Sequence, residues 1–165
     1  MKLNDFDIEF IKFKNETHTF SYNLNNTFFG LKANSLYQDC DIDVQVLCKR
    51  NESNISLDFV LKGYVDSTCE RCLDSIKIEI NTTRNEILRL TSNEELLKEE
   101  SYISINHQVY NTYDSIYEQI CLTMPTRKIC KLSLNQKECE IDHQETAQNK
   151  DVVDDRWAEL KKLIK

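Results

Sequence analysis

The chain has 165 residues, with 21 Lys and Arg against 28 Asp and Glu and a formal net charge of −7. That length fits one domain, or one domain with a tail, and the acidic balance excludes a uniformly basic nucleic-acid binder, which needs clustered cations to release counterions. With only two glycines, Gly30 and Gly63, neither a Gly-x-Gly-x-x-Gly fingerprint nor a Walker loop can be written, which excludes nucleotide chemistry through those motifs.

In chain order, residues 3–13 alternate loosely, with Phe6, Ile8 and Phe10 on one face. They predict a strand whose partner is a second strand over residues 17–24. Asn25-Asn26-Thr27 is a turn cluster, and residues 28–37 fit a short helix or an irregular segment. The clearest pattern follows. Ile42, Val44, Val46 and Cys48 share one face, and Ile55, Leu57, Phe59 and Leu61 repeat the pattern after the polar stretch from Lys49 to Asn54. Two period-two runs around a polar turn predict a long antiparallel hairpin. Ile76, Ile78, Ile80 and Thr82 extend the alternation, followed by residues 87–90, so Cys69 and Cys72 fall at a turn between strands. Residues 93–101 read as an acidic connector with a helical turn, and residues 102–105 as a short strand.

The period changes at residues 111–123, where Tyr113, Ile116, Tyr117, Ile120 and Cys121 form the stripe of an amphipathic helix. Asn111 is the expected N-cap, with Asp114 three residues on, and Pro125 ends the helix. Residues 126–151 are polar and aperiodic and predict a loop or flexible arm. Residues 154–165 regain a helical pattern: Trp157, Leu160, Leu163 and Ile164 make a narrow apolar stripe, and Lys161, Lys162 and Lys165 sit at the end that suits the helix dipole. The expected class is α+β: a long twisted antiparallel sheet with one packed amphipathic helix over residues 1–125, then an arm, residues 126–165, ending in a short helix.

Three features point to chemistry. Cys69-Glu70-Arg71-Cys72 at a turn offers two thiolates to one tetrahedral zinc, and Cys130 and Cys139 are candidates to complete the set, with His143 as a substitute. The competing readings are a thiol redox pair, which normally sits at a helix N-terminus rather than between strands, and four unligated thiols. Cys48 and Cys121 lie on apolar faces and read as core. Arg127, Lys128, Lys131 and Lys137 form a local basic run without an intervening acid, able to contact phosphates or to serve as a solvated loop. Arg156 and Trp157, with Leu160, Lys161 and Lys162, make a docking anchor for a partner. No catalytic residues are expected: His18, His107 and His143 lie in no nucleophile motif. The opening Met1-Lys2-Leu3-Asn4-Asp5-Phe6-Asp7 lacks the apolar run of a signal peptide. No stretch reaches the roughly 18 apolar residues of a membrane span, so the expectation is a cytoplasmic protein with reduced thiols and no membrane contact.

Taken together the landmarks resemble a family. Gly63-Tyr64-Val65-Asp66-Ser67-Thr68-Cys69-Glu70-Arg71-Cys72-Leu73 resembles the Gly-x-Val-x-x-x-Cys-x-Arg-Cys-Leu core of the YceD-like family, the 23S rRNA accumulation proteins of bacteria and plastids. Tyr117-Glu118-Gln119-Ile120-Cys121-Leu122-Thr123-Met124-Pro125 is similar to its Glu-x-Ile-x-Leu-x-x-Pro helix exit. Asp154-Asp155-Arg156-Trp157-Ala158-Glu159-Leu160-Lys161-Lys162-Leu163 is similar to its closing Asp-Pro-Arg-Trp-Ala-x-Leu-x-x-Leu, with Asp155 in place of proline. The opening, Phe6-Asp7-Ile8 and Asn26-Thr27-Phe28-Phe29, resembles Bacteroidetes-type members. Many members carry a glycine-containing cysteine cluster after the proline; here Cys130 and Cys139 stand without glycine. The resemblance implies a non-enzymatic role in large-subunit biogenesis that supports 23S rRNA accumulation. The implied partner is a basic ribosomal protein, the 23S rRNA precursor, or both. The −7 charge suits a basic partner, since complementary fields speed encounter. The alternative is a zinc-binding structural or redox protein unrelated to ribosomes.

Overall fold

The computed structural model describes residues 1–10, 13, 17–32, 37, 39–106 and 109–139. The alternating runs form β3 (Cys40–Arg50) and β4 (Asn54–Thr68), paired antiparallel with Val46 opposite Phe59 and Ile42 opposite Gly63. β5 (Ser75–Thr91) pairs antiparallel along the whole of β4. β2 (Thr17–Leu24) pairs with β3, and β6 (Tyr102–Ser104) closes a five-stranded sheet of order β2-β3-β4-β5-β6. Inward residues Ile42, Val44, Val46, Cys48, Ile55, Leu57, Phe59, Leu61, Ile78 and Ile80 are buried. The opposite face keeps Asp41, Asp43, Lys49, Lys62, Lys77 and Glu79 exposed. One dry face and one wet face are what antiparallel alternation provides.

Two pairings differ from the sequence reading. The first is at the N-terminus, where Leu3–Phe6 is a 3-10 turn and only Asp7–Ile8 is extended (β1). β1 pairs with β7 (Tyr110–Asn111), not with residues 17–24. The alternation of Phe6, Ile8 and Phe10 reported the buried face correctly, since all three are buried. It carried no information on the neighbour. The second is β6, which runs parallel to β5 over Arg89–Thr91, so the sheet is mixed rather than purely antiparallel. The connector with its 3-10 turn Leu96–Lys98 carries the chain back to the level of Arg89, where β6 resumes the direction of β5.

The buried face is covered by aromatic side chains and α1 (Tyr113–Thr123). Phe6 meets Phe28 edge-on at 5.6 Å and Tyr113 at 5.5 Å, and Phe28 meets Phe29 at 5.3 Å. Ile116 and Ile120 of α1 are fully buried, and Gln119 Nε2 donates to Thr82 Oγ1 of β5. The N-cap is Thr112, one residue later than expected. Asn111 supports the start instead, accepting the Tyr113 N–H at 3.0 Å through its side chain. Thr112 Oγ1 donates to the Phe6 carbonyl at 3.0 Å inside the core. Replacing Thr112 by Val keeps the shape and leaves that carbonyl with one bond fewer. Thr112→Val is therefore expected to cost about 1–2 kcal/mol, read as a lower urea midpoint.

Residues 126–139, which the sequence assigns to the arm, run back along the end of the sheet. Ser133 bridges Ile78 of β5, and the Leu134 N–H donates to the Lys77 carbonyl at 2.9 Å. The remainder of the arm, with Arg156, Trp157, Leu160, Lys161 and Lys162, lies outside the described residues, as does His143.

Candidate metal centre

β4 ends at Thr68 and β5 begins at Ser75, so Cys69 and Cys72 sit on the connecting turn. The turn is held by its own backbone: the Cys69 N–H donates to the Asp74 carbonyl at 2.8 Å, and the Leu73 N–H to the Cys69 carbonyl at 3.0 Å. The Arg71 N–H donates to Cys69 Sγ at 3.4 Å, a dipole that favours thiolate. The Glu70 N–H donates to the Lys128 carbonyl at 2.8 Å and fastens the segment after α1 to this turn. That segment delivers Cys130, which opens the 3-10 turn Cys130–Leu132, and then Cys139.

The Sγ atoms of Cys69, Cys72, Cys130 and Cys139 all lie within 4.8 Å of one another. Cys72 and Cys130 are 3.2 Å apart, and Cys69 and Cys139 3.7 Å. A tetrahedral zinc with Zn–S near 2.3 Å spaces its sulfurs about 3.8 Å apart, so the donor set fits that ion in number, type and spacing. All four are free thiols, Cys69 and Cys130 fully buried and Cys72 and Cys139 partly so.

Burial pushes the Cys69 thiol up, but the amides of Cys72 and Arg71 and the thiols of Cys72 and Cys130 outweigh it and bring it down to about 6. At Cys72 the Asp74 amide and the Cys130 thiol pull down, yet burial and the sulfurs of Cys69 and Cys139 win, and the thiol is raised. The Cys72 sulfur, then burial and the other two thiols, push Cys130 well up. One thiolate forms readily and its charge resists the next. The four ionise together only around a cation.

The remaining cysteines do not join. Burial, with Asp39, Asp41 and Asp66 nearby, pushes Cys40 up to about 12. Burial pushes Cys48 up to about 11. Both are inert core thiols, and Cys121 is likewise raised by burial.

The basic run divides at this end of the molecule. Lys128 Nζ pairs with Glu70 at 3.7 Å and stands over the Tyr37 ring, and Lys137 pairs with Asp74 at 3.3 Å. Such partly exposed pairs contribute at most about 1 kcal/mol each. Arg127 and Lys131 are exposed and take part in no ion pair among the described residues. Cavities lie at this end of the molecule, among them one of about 300 Å³ lined by Asp74, Cys130, Ser133 and Lys137. Another of about 440 Å³ is lined by Tyr37, Asp39, Asp66, Glu70 and Lys128, and one of about 320 Å³ by Arg71, Ile129, Lys131, Glu138 and Cys139.

The sequence reading matched Arg71 and Leu73 to the family's core motif but gave neither a role. Leu73 is 77% exposed and has φ 65°, in the left-handed region. A leucine pays roughly 1–2 kcal/mol for that conformation, and only a three-dimensional backbone exposes it. Leu73→Asn, which tolerates the region, is expected to raise stability by about 1 kcal/mol. A lower urea midpoint in that variant would mean the leucine side chain makes a stabilising contact.

Residues 57–164 match the family described as large ribosomal RNA subunit accumulation protein YceD. The chain belongs to the YceD family. Neither a curated protein nor a solved structure matches it. The YceD match opens inside β4 and takes in the cysteine turn, β5, α1 and all four clustered cysteines; β1 to β3 precede it. It also reaches Arg156, Trp157, Leu160, Lys161 and Lys162. Membership of the YceD family places the protein in ribosome biogenesis, in the accumulation of large-subunit rRNA, and the family description names no enzymatic activity. Among the described residues no helix is long and apolar enough to cross a membrane.

Proposed function

We propose that this protein is a non-enzymatic, cytoplasmic factor of large-subunit assembly. In this reading it holds one structural zinc on Cys69, Cys72, Cys130 and Cys139 and binds a large-subunit component, a basic ribosomal protein or the 23S rRNA precursor, at the metal end. The observation that carries the reading is the convergence of four thiols from two distant stretches of chain to within 4.8 Å. Four protein sulfurs fill a tetrahedral shell and leave no open position for a substrate, which is the signature of a structural rather than a catalytic site. The metal would supply the cross-link that holds residues 126–139 on the sheet, and with them Arg127, Lys128 and Lys131. The acid-lined cavity with Asp39, Asp66 and Glu70 supports contact with a basic protein on one flank. The exposed Arg127 and Lys131 support contact with RNA on the other. Arg156, Trp157, Leu160, Lys161 and Lys162 extend the partner-binding set beyond the described residues.

The test is depletion in growing cells together with purification of the tagged protein. A fall in the 23S to 16S ratio, with large-subunit components recovered alongside the protein, is the expected result. An unchanged ratio with no ribosomal component recovered overturns the reading.

A further inference from the structure

The 320 Å³ cleft beside the sulfurs sits at the lower end of the size range of ligand sites. Its cations come from positions far apart in sequence, Arg71 on the β4–β5 turn and Lys131 after α1, joined by the contact of Cys72 with Cys130. Arg71 and Lys131 are exposed, and neither forms an ion pair among the described residues. Glu138 also lines the cleft. The sulfurs do not occupy the Arg71 guanidinium: the bond to Cys69 Sγ comes from the Arg71 backbone N–H. Two residues on from Arg71, outside the residues that line the cleft, Leu73 keeps a left-handed backbone while 77% exposed. The turn's own bond from the Leu73 N–H to the Cys69 carbonyl holds that backbone, which leaves the apolar side chain displayed to a partner. In this acidic chain, two cations that pair with no acid among the described residues, and a displayed apolar tip at the same end, call for an anionic partner that also presents an apolar surface.

We propose that this end of the molecule binds single-stranded RNA, with Arg71 and Lys131 on backbone phosphates and Leu73 against the face of an unstacked base. The inference rests on the rRNA branch of the proposed function. Unpaired RNA offers both chemistries within one nucleotide step, a phosphate for cations and a splayed base for an apolar side chain. The guanidinium fork matches a phosphate bidentately, and the lysine adds a point charge. Apolar side chains wedged against base steps are an established mode of nucleic-acid contact. An acidic protein segment satisfies the cations but gives Leu73 no flat surface to cover.

The full-length, zinc-loaded protein is titrated against a labelled single-stranded oligoribonucleotide of mixed sequence, at several salt concentrations and with metal content measured in parallel. Arg71→Gln with Lys131→Gln is expected to weaken binding and to shallow the salt slope by about 1.4, at about 0.7 per lost contact to a single strand. Leu73→Asn is expected to lower affinity several-fold while leaving the salt slope unchanged and the fold at least as stable. Lys49→Gln, on the open face of the sheet, serves as control and is expected to bind as the parent does. All four positions are exposed, so the variants keep the core. The proposal is overturned by any of four results: no binding by the parent, an unchanged slope in the double variant, competition by poly-glutamate as effective as by RNA, or loss of zinc rather than RNA affinity in the double variant. The last would assign the cations to the charge of the metal–thiolate centre. Absence of oligonucleotide binding with an intact 23S phenotype removes this inference alone; loss of the phenotype removes the proposed function itself.

Discussion

Removal of the proposed zinc, by a chelator or by the paired change Cys69→Ser and Cys72→Ser, is expected to release the segment 126–139 from the sheet without unfolding the sheet. The physical reason is the division of labour in the core. Ile42, Val46, Phe59, Leu61 and Ile80 are buried by β2 to β5, α1 and the aromatic layer, none of which needs the sulfurs. The segment 126–139 has far less to hold it: a single bridge from Ser133 to Ile78, a few backbone bonds, two partly exposed ion pairs and the cysteine cluster. Loss of a structural metal belongs among the large single-site effects, on the order of 4 kcal/mol. The measurements are zinc per chain, urea unfolding, and proteolysis of the 126–139 segment. About one zinc per chain is expected in the parent and none in the variant, with sheet circular dichroism retained and new cleavage after Pro125. Sub-stoichiometric zinc in the parent, with an unchanged midpoint in the variant, would remove the metal from the account.

The same site sets a pH dependence. The Cys69 thiol is lowered in the folded chain to about 6, below the roughly 8.5 of a free thiol. A depressed acid contributes stability that is present above its unfolded value and lost as pH falls through its folded value. A bound cation lowers all four thiols further, so metal is expected to stay at neutral pH and to leave as protons compete for the sulfurs in the acid range. Loss of zinc at neutral pH would contradict a site of four thiolates.

The second large effect is at Gly63. Its φ of +153° is one that L side chains rarely adopt, and a Cβ there would lie 2.0 Å from the Asp41 carbonyl oxygen and 2.7 Å from Ile42 Cα. These are backbone atoms of β3, the strand paired to it, and neither can move without breaking the register that places Ile42 opposite Gly63. Gly63→Ala is therefore expected to cost on the order of 4–5 kcal/mol, or to prevent folding. Gly30→Ala is the control, because nothing lies within 4 Å of a Cβ at that position. A parental urea midpoint for Gly63→Ala would mean that β3 and β4 do not cross so closely. Gly63 lies six residues before Cys69, so distortion there also reaches the turn that presents the first two thiols.

Sequence alone determined which faces are dry and which residues offer sulfur. Alternation over residues 42–61 is a local consequence of strand geometry, in which each side chain faces opposite to the last, so the buried set of β3 and β4 was readable without neighbours. The helix at Tyr113–Thr123 was readable for the same reason, from a period of about 3.6. Residue type made Cys69, Cys72, Cys130 and Cys139 candidates beside His143, and only the geometry brought those four sulfurs together. Tertiary structure decided what lies beside what. Alternation in Phe6, Ile8 and Phe10 did not reveal that β1 pairs with β7 across a hundred residues, nor did the short run at Tyr102–Ser104 reveal a parallel strand. Such partners are chosen by burial summed over the whole core, a quantity no window of sequence contains. The basic run looked uniform, yet Glu70 and Asp74 pair with Lys128 and Lys137 while Arg127 and Lys131 face solvent. That selection exists only once distant segments meet at the sulfurs, because charge pairing depends on distances that folding alone creates.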